Sequence, residues 1–158
     1  FGNESREKSS EQQILDWETI KAAERATIAQ TGALDGVARG LPAFTRAVKL
    51  QNRAARVGFD WPKVEQVLDK VAEEITELKD ATTQKNRHEE FGDLMFVMAN
   101  LARHLKIDPE QALHDSSNKF INRFNYIELK LKSLGKTPIQ SNLQEMDALW
   151  DEAKQKEK

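Results

Sequence analysis

Five acidic residues stand at matched positions on two successive stretches of helical pattern: Glu73, Glu74 and Glu77 in the first, Glu90 and Asp93 in the second. The residue numbers of Glu77 and Glu90 add to the same total as those of Glu74 and Asp93. In an antiparallel helical hairpin, residues with a constant total lie at one height. Glu77 is therefore expected to face Glu90, and Glu74 to face Asp93. So much like charge at one place repels strongly unless cations neutralise it. The pattern predicts a helical hairpin that gathers a hard divalent cation such as Mg²⁺, and so phosphate chemistry.

Apolar spacing is helical along the chain, and no segment reads as a strand. A first helix is expected to start near Ser9 or Ser10, with Gln12 or Gln13 completing a capping box, and to run to about Gln30. The glycine-rich stretch 31–40 reads as a loop. Pro42 opens a second helix that ends near Gly58. The third is expected after Asp60, with Pro62 in its first turn, ending near Thr82 or Thr83. The fourth covers about Arg87 to Leu105. An Asp108 cap with Pro109 and Gln111 starts the fifth, which stops at Gly135. Ser141 and Gln144 start a last, short helix. The expected fold is an all-α bundle of about five to six helices. One domain spans residues 10–158, behind a polar leader over residues 1–9.

On the third helix Val64, Val67, Leu68, Val71, Ile75 and Leu78 form a stripe roughly 100° wide. Lys70, Glu73, Glu74 and Glu77 flank it. On the fourth, Phe91, Leu94, Met95, Met98, Leu101, Ala102 and Leu105 form the seam, flanked by Glu90 and Asp93. The acids thus lie beside the core, where an unpaired carboxylate is costly. A solvated acidic face is the plain alternative, but two acidic pairs at matched heights favour metal. Oxygen-only donors favour Mg²⁺, Mn²⁺ or Ca²⁺ over zinc.

Lys119 and Arg123 lie four residues apart on the fifth helix, a cationic strip able to grip a polyphosphate. The alternative is a pair of surface charges. Trp150, with Lys154 a turn later, could cover a nucleobase or seal the core. Gly135-Lys136-Thr137 lacks the earlier glycine and preceding strand of a phosphate loop, and reads as a helix end. With no cysteine, disulfides and zinc–thiolate sites are excluded. A net charge of −2 with both signs mixed argues against nucleic acid as partner. No apolar run is long enough to span a membrane, which makes a cytoplasmic protein the expectation.

The acidic motif resembles the metal motif of the all-α nucleoside triphosphate pyrophosphohydrolases, a superfamily including MazG, the dimeric dUTPases and the phosphoribosyl-ATP pyrophosphatases. The longer match is to the C-terminal domain of MazG. It runs through Leu41-Pro-Ala-Phe-Thr-Arg-Ala-Val-Lys-Leu-Gln51, Val57-Gly-Phe-Asp-Trp61, Gly92-Asp-Leu-Met-Phe96, Asn100-Leu-Ala-Arg-His-Leu105, Lys119-Phe-x-x-Arg-Phe124 and Met146-Asp-Ala-Leu-Trp150. The polar leader looks like the junction after an N-terminal domain, which would make the chain a C-terminal half.

The resemblance implies hydrolysis of nucleoside triphosphates to monophosphate and pyrophosphate, with breadth across ribo- and deoxynucleotides. It implies Glu74, Glu77, Glu90 and Asp93 as Mg²⁺ ligands, with Mn²⁺ a substitute. Lys70, Glu73, Asn86, Arg87, Glu89, Asp93, Lys119, Arg123, Trp150 and Lys154 would bind substrate. Asn86 stands where the family tends to carry a lysine. Glu73, then Glu74, would accept the water proton. A homodimer is implied as well. The competing readings are a relative restricted to dUTP or phosphoribosyl-ATP, and a helical module that binds nucleotide or metal, or dimerises, without turnover.

Overall fold

The computed structural model describes residues 16, 17, 19–21, 23, 24, 26 and 32–157. The described residues between 16 and 26 are helical, and both ends of the first expected helix lie outside the described set, as does the leader. Beyond them come α1 (Ala43–Arg56), α2 (Val64–Asp80), α3 (Gln84–His104), α4 (Pro109–Ser133), a 3₁₀ turn (Pro138–Gln140) and α5 (Leu143–Lys156). The described residues contain no strand. No helix among them is long and apolar enough to cross a membrane. Contacts group the chain into two compact units, Phe1–Leu101 and Ala102–Lys158.

In the first unit, local chemistry sets the helix ends. Pro42, with φ −50°, precedes the first residue of α1. That helix stops where Gly58 turns left-handed at φ +89° and the Phe59 N–H reaches back to the Ala54 carbonyl at 3.1 Å. Helix α2 starts later than expected and leaves Pro62 outside. Lys63 is extended, and its N–H donates to the Gln66 side chain at 3.3 Å. Helix α3 starts earlier than expected, because the Thr83 hydroxyl accepts from the Asn86 N–H at 3.1 Å and caps it. Only Ala81–Thr83 then separates α2 from α3, a tight hairpin steadied by the Arg87 side chain on the Ala81 carbonyl at 3.2 Å. Helix α1 is tied to α3 by the buried Gln51, whose Nε2 donates to the Phe96 carbonyl at 2.8 Å.

In the second unit the Asp108 carboxylate accepts from the N–H groups of Glu110 and Gln111 at 3.0 and 3.2 Å, and Pro109 opens α4 as expected. Gly135 ends it at φ +70°. The last helix is capped one residue beyond expectation. Asn142, not Ser141, accepts the Glu145 N–H at 2.9 Å, because the Ser141 hydroxyl is bonded to the Glu145 carboxylate at 2.6 Å.

Among the described residues the interior is sparse. Val67, Ala81, Val97 and Ala99 are the buried apolar residues described in the first unit, and Ile127, Leu131 and Ala153 those in the second. Leu68, Ile75, Phe91, Met98 and Leu105, all expected inside the stripe or seam, are 40–54% exposed. Helical periodicity identifies the face that gains from leaving water. It does not identify what covers that face.

Candidate metal centre and cationic strip

The hairpin brings Glu74 from α2 together with Glu90 and Asp93 from α3: one carboxylate oxygen of each lies within 4.8 Å of the others. Glu74 is the deepest of the three, only 4% exposed. Its Oε1 sits 2.7 Å from the Lys70 ammonium, which also holds Glu73 at 2.8 Å. Its Oε2 is buried and has no hydrogen-bond partner. A buried, unpaired carboxylate oxygen costs free energy of the order of 1–3 kcal/mol or more. With two further carboxylates beside it and one lysine against them, the excess charge is negative. The donor set therefore fits a hard, oxygen-seeking cation such as Mg²⁺ or Mn²⁺. None of the three histidines joins the cluster, which disfavours zinc.

Glu77, expected to oppose Glu90, stays outside this closest group and is exposed. Its carboxyl is nonetheless held above its ordinary value by partial desolvation, then by the Glu74 carboxylate, with Glu90 adding to the rise and Lys70 opposing it. Lys70, expected to contact substrate, is bound to Glu73 first and Glu74 second, and both hold its ammonium above the usual lysine range. At the hairpin turn, Asn86 is occupied with Thr83, Arg87 with the Ala81 carbonyl, and Glu89 pairs loosely with Lys85 at 3.9 Å. These residues serve the turn locally.

In the second unit α4 and α5 assemble a different group. The Arg123 guanidinium lies over the Trp150 ring, 5.3 Å from its centroid. Trp150 packs on Phe120 at 5.3 Å, and Phe120 stacks on Phe124 at 6.1 Å. Arg123 is also gripped by Glu157 through two nitrogens, the shortest contact being 2.6 Å. Arg123 and, more weakly, Lys119 hold the Glu157 carboxyl below its ordinary value. Arg123 and Trp150 are thus neighbours, and Lys119, one turn before Arg123 on α4, acts on the same Glu157 carboxylate. Lys154 pairs with Asp151 at 3.2 Å. Sequence reasoning missed Glu157, whose partner is 34 residues away.

Glu145 and Glu152 are also held below their ordinary values, by the Ser141 hydroxyl and Lys136 in one case and by the Tyr126 hydroxyl and Lys130 in the other. A carboxyl depressed in the folded state contributes stability that is present above its unfolded value and is lost as pH falls through the folded one. We expect the melting temperature of the α4–α5 unit to decline between about pH 5 and about pH 3. In the combined variant Glu145→Gln, Glu152→Gln, Glu157→Gln the decline should be visibly shallower. Calorimetric scans across pH measure this, and parallel curves would refute it.

The family model for the MazG nucleotide pyrophosphohydrolase domain matches residues 63–127, which include all three clustered acids and both residues of the cationic pair. The nucleoside triphosphate pyrophosphohydrolase of Escherichia coli K12 is 42% identical over 162 residues, covering 99% of this chain and 61% of that protein. The nucleoside triphosphate pyrophosphohydrolase/pyrophosphatase MazG of Thermotoga maritima is 37% identical over 138 residues, covering 87% of this chain and 54% of that protein. A Bacillus subtilis protein, YabN, is 43% identical over 149 residues, 92% of this chain and 30% of its own length. The chain therefore spans less than two thirds of each of these relatives.

Proposed function

Since residues 63–127 carry the MazG nucleotide pyrophosphohydrolase domain, we propose that the protein hydrolyses nucleoside triphosphates to monophosphate and pyrophosphate, with Mg²⁺ as cofactor and broad ribo- and deoxynucleotide use. The observation that carries this reading is the buried, unpartnered Glu74 Oε2 among the carboxylates of Glu90 and Asp93. Glu74, Glu90 and Asp93, with Glu77 beside them, would hold Mg²⁺ or Mn²⁺. Bound there, the ion would acidify water and neutralise phosphate charge.

The chain's own groups supply the rest. Water oxygen bonds to the α-phosphorus, the bond from that phosphorus to the oxygen bridging to the β-phosphorus breaks, and pyrophosphate leaves with the electron pair. The water proton passes to a carboxylate. Glu73 is the first choice as acceptor because it is exposed, and its hydrogen bond from Lys70 keeps it oriented. Glu74 is the second. Lys119 and Arg123 would bind phosphate oxygens, with Arg123 exchanging the Glu157 carboxylate for phosphate. Trp150 would cover the base, with Lys154, Lys70, Asn86, Arg87 and Glu89 as further contacts. One aromatic face reads bases weakly, which supports breadth. We take residues 10–158 to act as one catalytic domain, in the cytoplasm where nucleotides are consumed.

The half-exposed Phe91, Met98, Phe120 and Ile121 support a homodimer that covers them. Sedimentation at micromolar concentration is expected to give twice the chain mass, and a single-chain mass would remove this part of the reading. The reaction is tested by incubating the protein with a panel of triphosphates and Mg²⁺ and identifying the inorganic product. Pyrophosphate from many nucleotides is expected. Orthophosphate alone overturns the reading. Release from dUTP or phosphoribosyl-ATP only would narrow it, and binding without release would make the protein a non-catalytic module.

A further inference from the structure

A cavity of about 290 Å³ lies between α1 and the loop that precedes it, lined on the loop by residues 36–38 and on the helix by Lys49, Asn52, Arg53 and Arg56. The four helix positions follow the spacing that places side chains on one face. Three carry positive charge, and no acidic residue joins the lining. By contrast, Lys70, Arg123, Lys130 and Lys136 each have a carboxylate within 4.0 Å. Lys49, Arg53 and Arg56 have no ion pair among the described residues. Three like charges on two turns of helix repel one another and are left for something else to neutralise.

The loop forms the opposite wall. Gly36 turns left-handed at φ +79°, and a side chain added there would meet nothing within 4 Å. No backbone carbonyl among the described residues accepts from the N–H groups of Gly36, Val37 or Ala38. The cationic row from Lys49 to Arg56 covers about 10 Å of helix, more than one phosphate group spans and well matched to two or three linked ones. The net charge of −2 works against a long polyanion and leaves a short one favoured.

We propose that the cavity between α1 and residues 36–38 is a metal-independent site for a short polyphosphate anion, pyrophosphate or a triphosphate tail, gripped by Lys49, Arg53 and Arg56. It is separate from the acidic cluster, which repels such an anion unless a cation is present. The shared chemistry is the linked phosphate, whether free or on a nucleotide.

Titration calorimetry of the full chain in chelator tests this, with inorganic triphosphate, pyrophosphate and ATP as probes. Saturable binding is expected for at least triphosphate, weakening as salt rises. ATP that binds as tightly as triphosphate assigns the site to a nucleotide tail, and ATP much weaker than pyrophosphate assigns it to the free anion. Arg53→Gln is expected to weaken binding by about tenfold, and Lys49→Gln with Arg53→Gln by more, because each removes charge-assisted hydrogen bonds. Far-UV dichroism confirms that these surface variants fold. Glu74→Gln and Arg123→Gln should bind as the parent does. The proposal is overturned if no anion binds in chelator, or if Arg123→Gln abolishes binding while Arg53→Gln leaves it intact. Since metal is withheld throughout, a failure here is distinguishable from a failure of the proposed hydrolysis.

Discussion

Glu74→Gln is expected to cut Mg²⁺-stimulated pyrophosphate release by about three orders of magnitude, equivalent to ~4 kcal/mol of transition-state stabilisation. The size follows from position. Glu74 is the buried member of the acidic cluster, and its Oε2 has no protein partner. Glutamine keeps the shape and one oxygen but removes the charge. The same change should leave the metal-free fold as stable as the parent or slightly more so, since it relieves repulsion with Glu90 and Asp93 while Lys70 retains Glu73. Only the parent should then gain melting temperature when Mg²⁺ is added, because a ligand that binds the folded state alone stabilises it by mass action. Turnover in chelator-treated and Mg²⁺-loaded samples, with melting scans alongside, measures both halves. Undiminished turnover by Glu74→Gln would exclude the acidic cluster as the metal site.

Leu131→Ala is expected to cost about 3 kcal/mol of unfolding free energy. Among the described residues Leu131 and Val67 are the largest fully buried side chains, each at 0% exposure. Leu131 lies on α4, the helix that packs against α5 and presents Arg123 to Trp150. With so few apolar residues enclosed among those described, one cavity removes a large share of a stability that is typically about 5–15 kcal/mol in total. Leu129, two residues away and 68% exposed, is the internal comparison. In dilute protein Leu129→Ala should change stability by no more than about 0.5 kcal/mol. Equilibrium denaturation of both variants checks the contrast, and equal losses would contradict the burial pattern.

The sequence was most informative where geometry is local. Asp108 and Pro109 marked the start of α4, and Gly135 its end, because caps and left-handed turns act within a few residues. The meeting of Glu74 with Asp93 was legible because an antiparallel hairpin converts sequence spacing into height. Glu90 was expected in the same group; that it approaches Glu74 while Glu77 stands outside the closest three was not legible. That choice depends on side-chain rotamers and on Lys70 drawing one Glu74 oxygen toward itself. Contacts across long separations stayed hidden too. Gln51 reaches the Phe96 carbonyl 45 residues on, and Arg123 reaches Glu157 34 residues on. Nothing in either segment alone signals its partner. The roles of Phe91 and Met98 were half legible: their apolar face was plain, its cover was not.

The wet apolar faces of the helices also bear on how the protein responds to urea. The steepness of denaturation tracks the surface newly wetted on unfolding, and side chains already in contact with water add nothing to it. A single chain should therefore melt gradually across a wide urea range, with a small heat-capacity step. If Phe91, Met98, Phe120 and Ile121 are dry in solution, the transition will be sharp and its midpoint will rise with protein concentration.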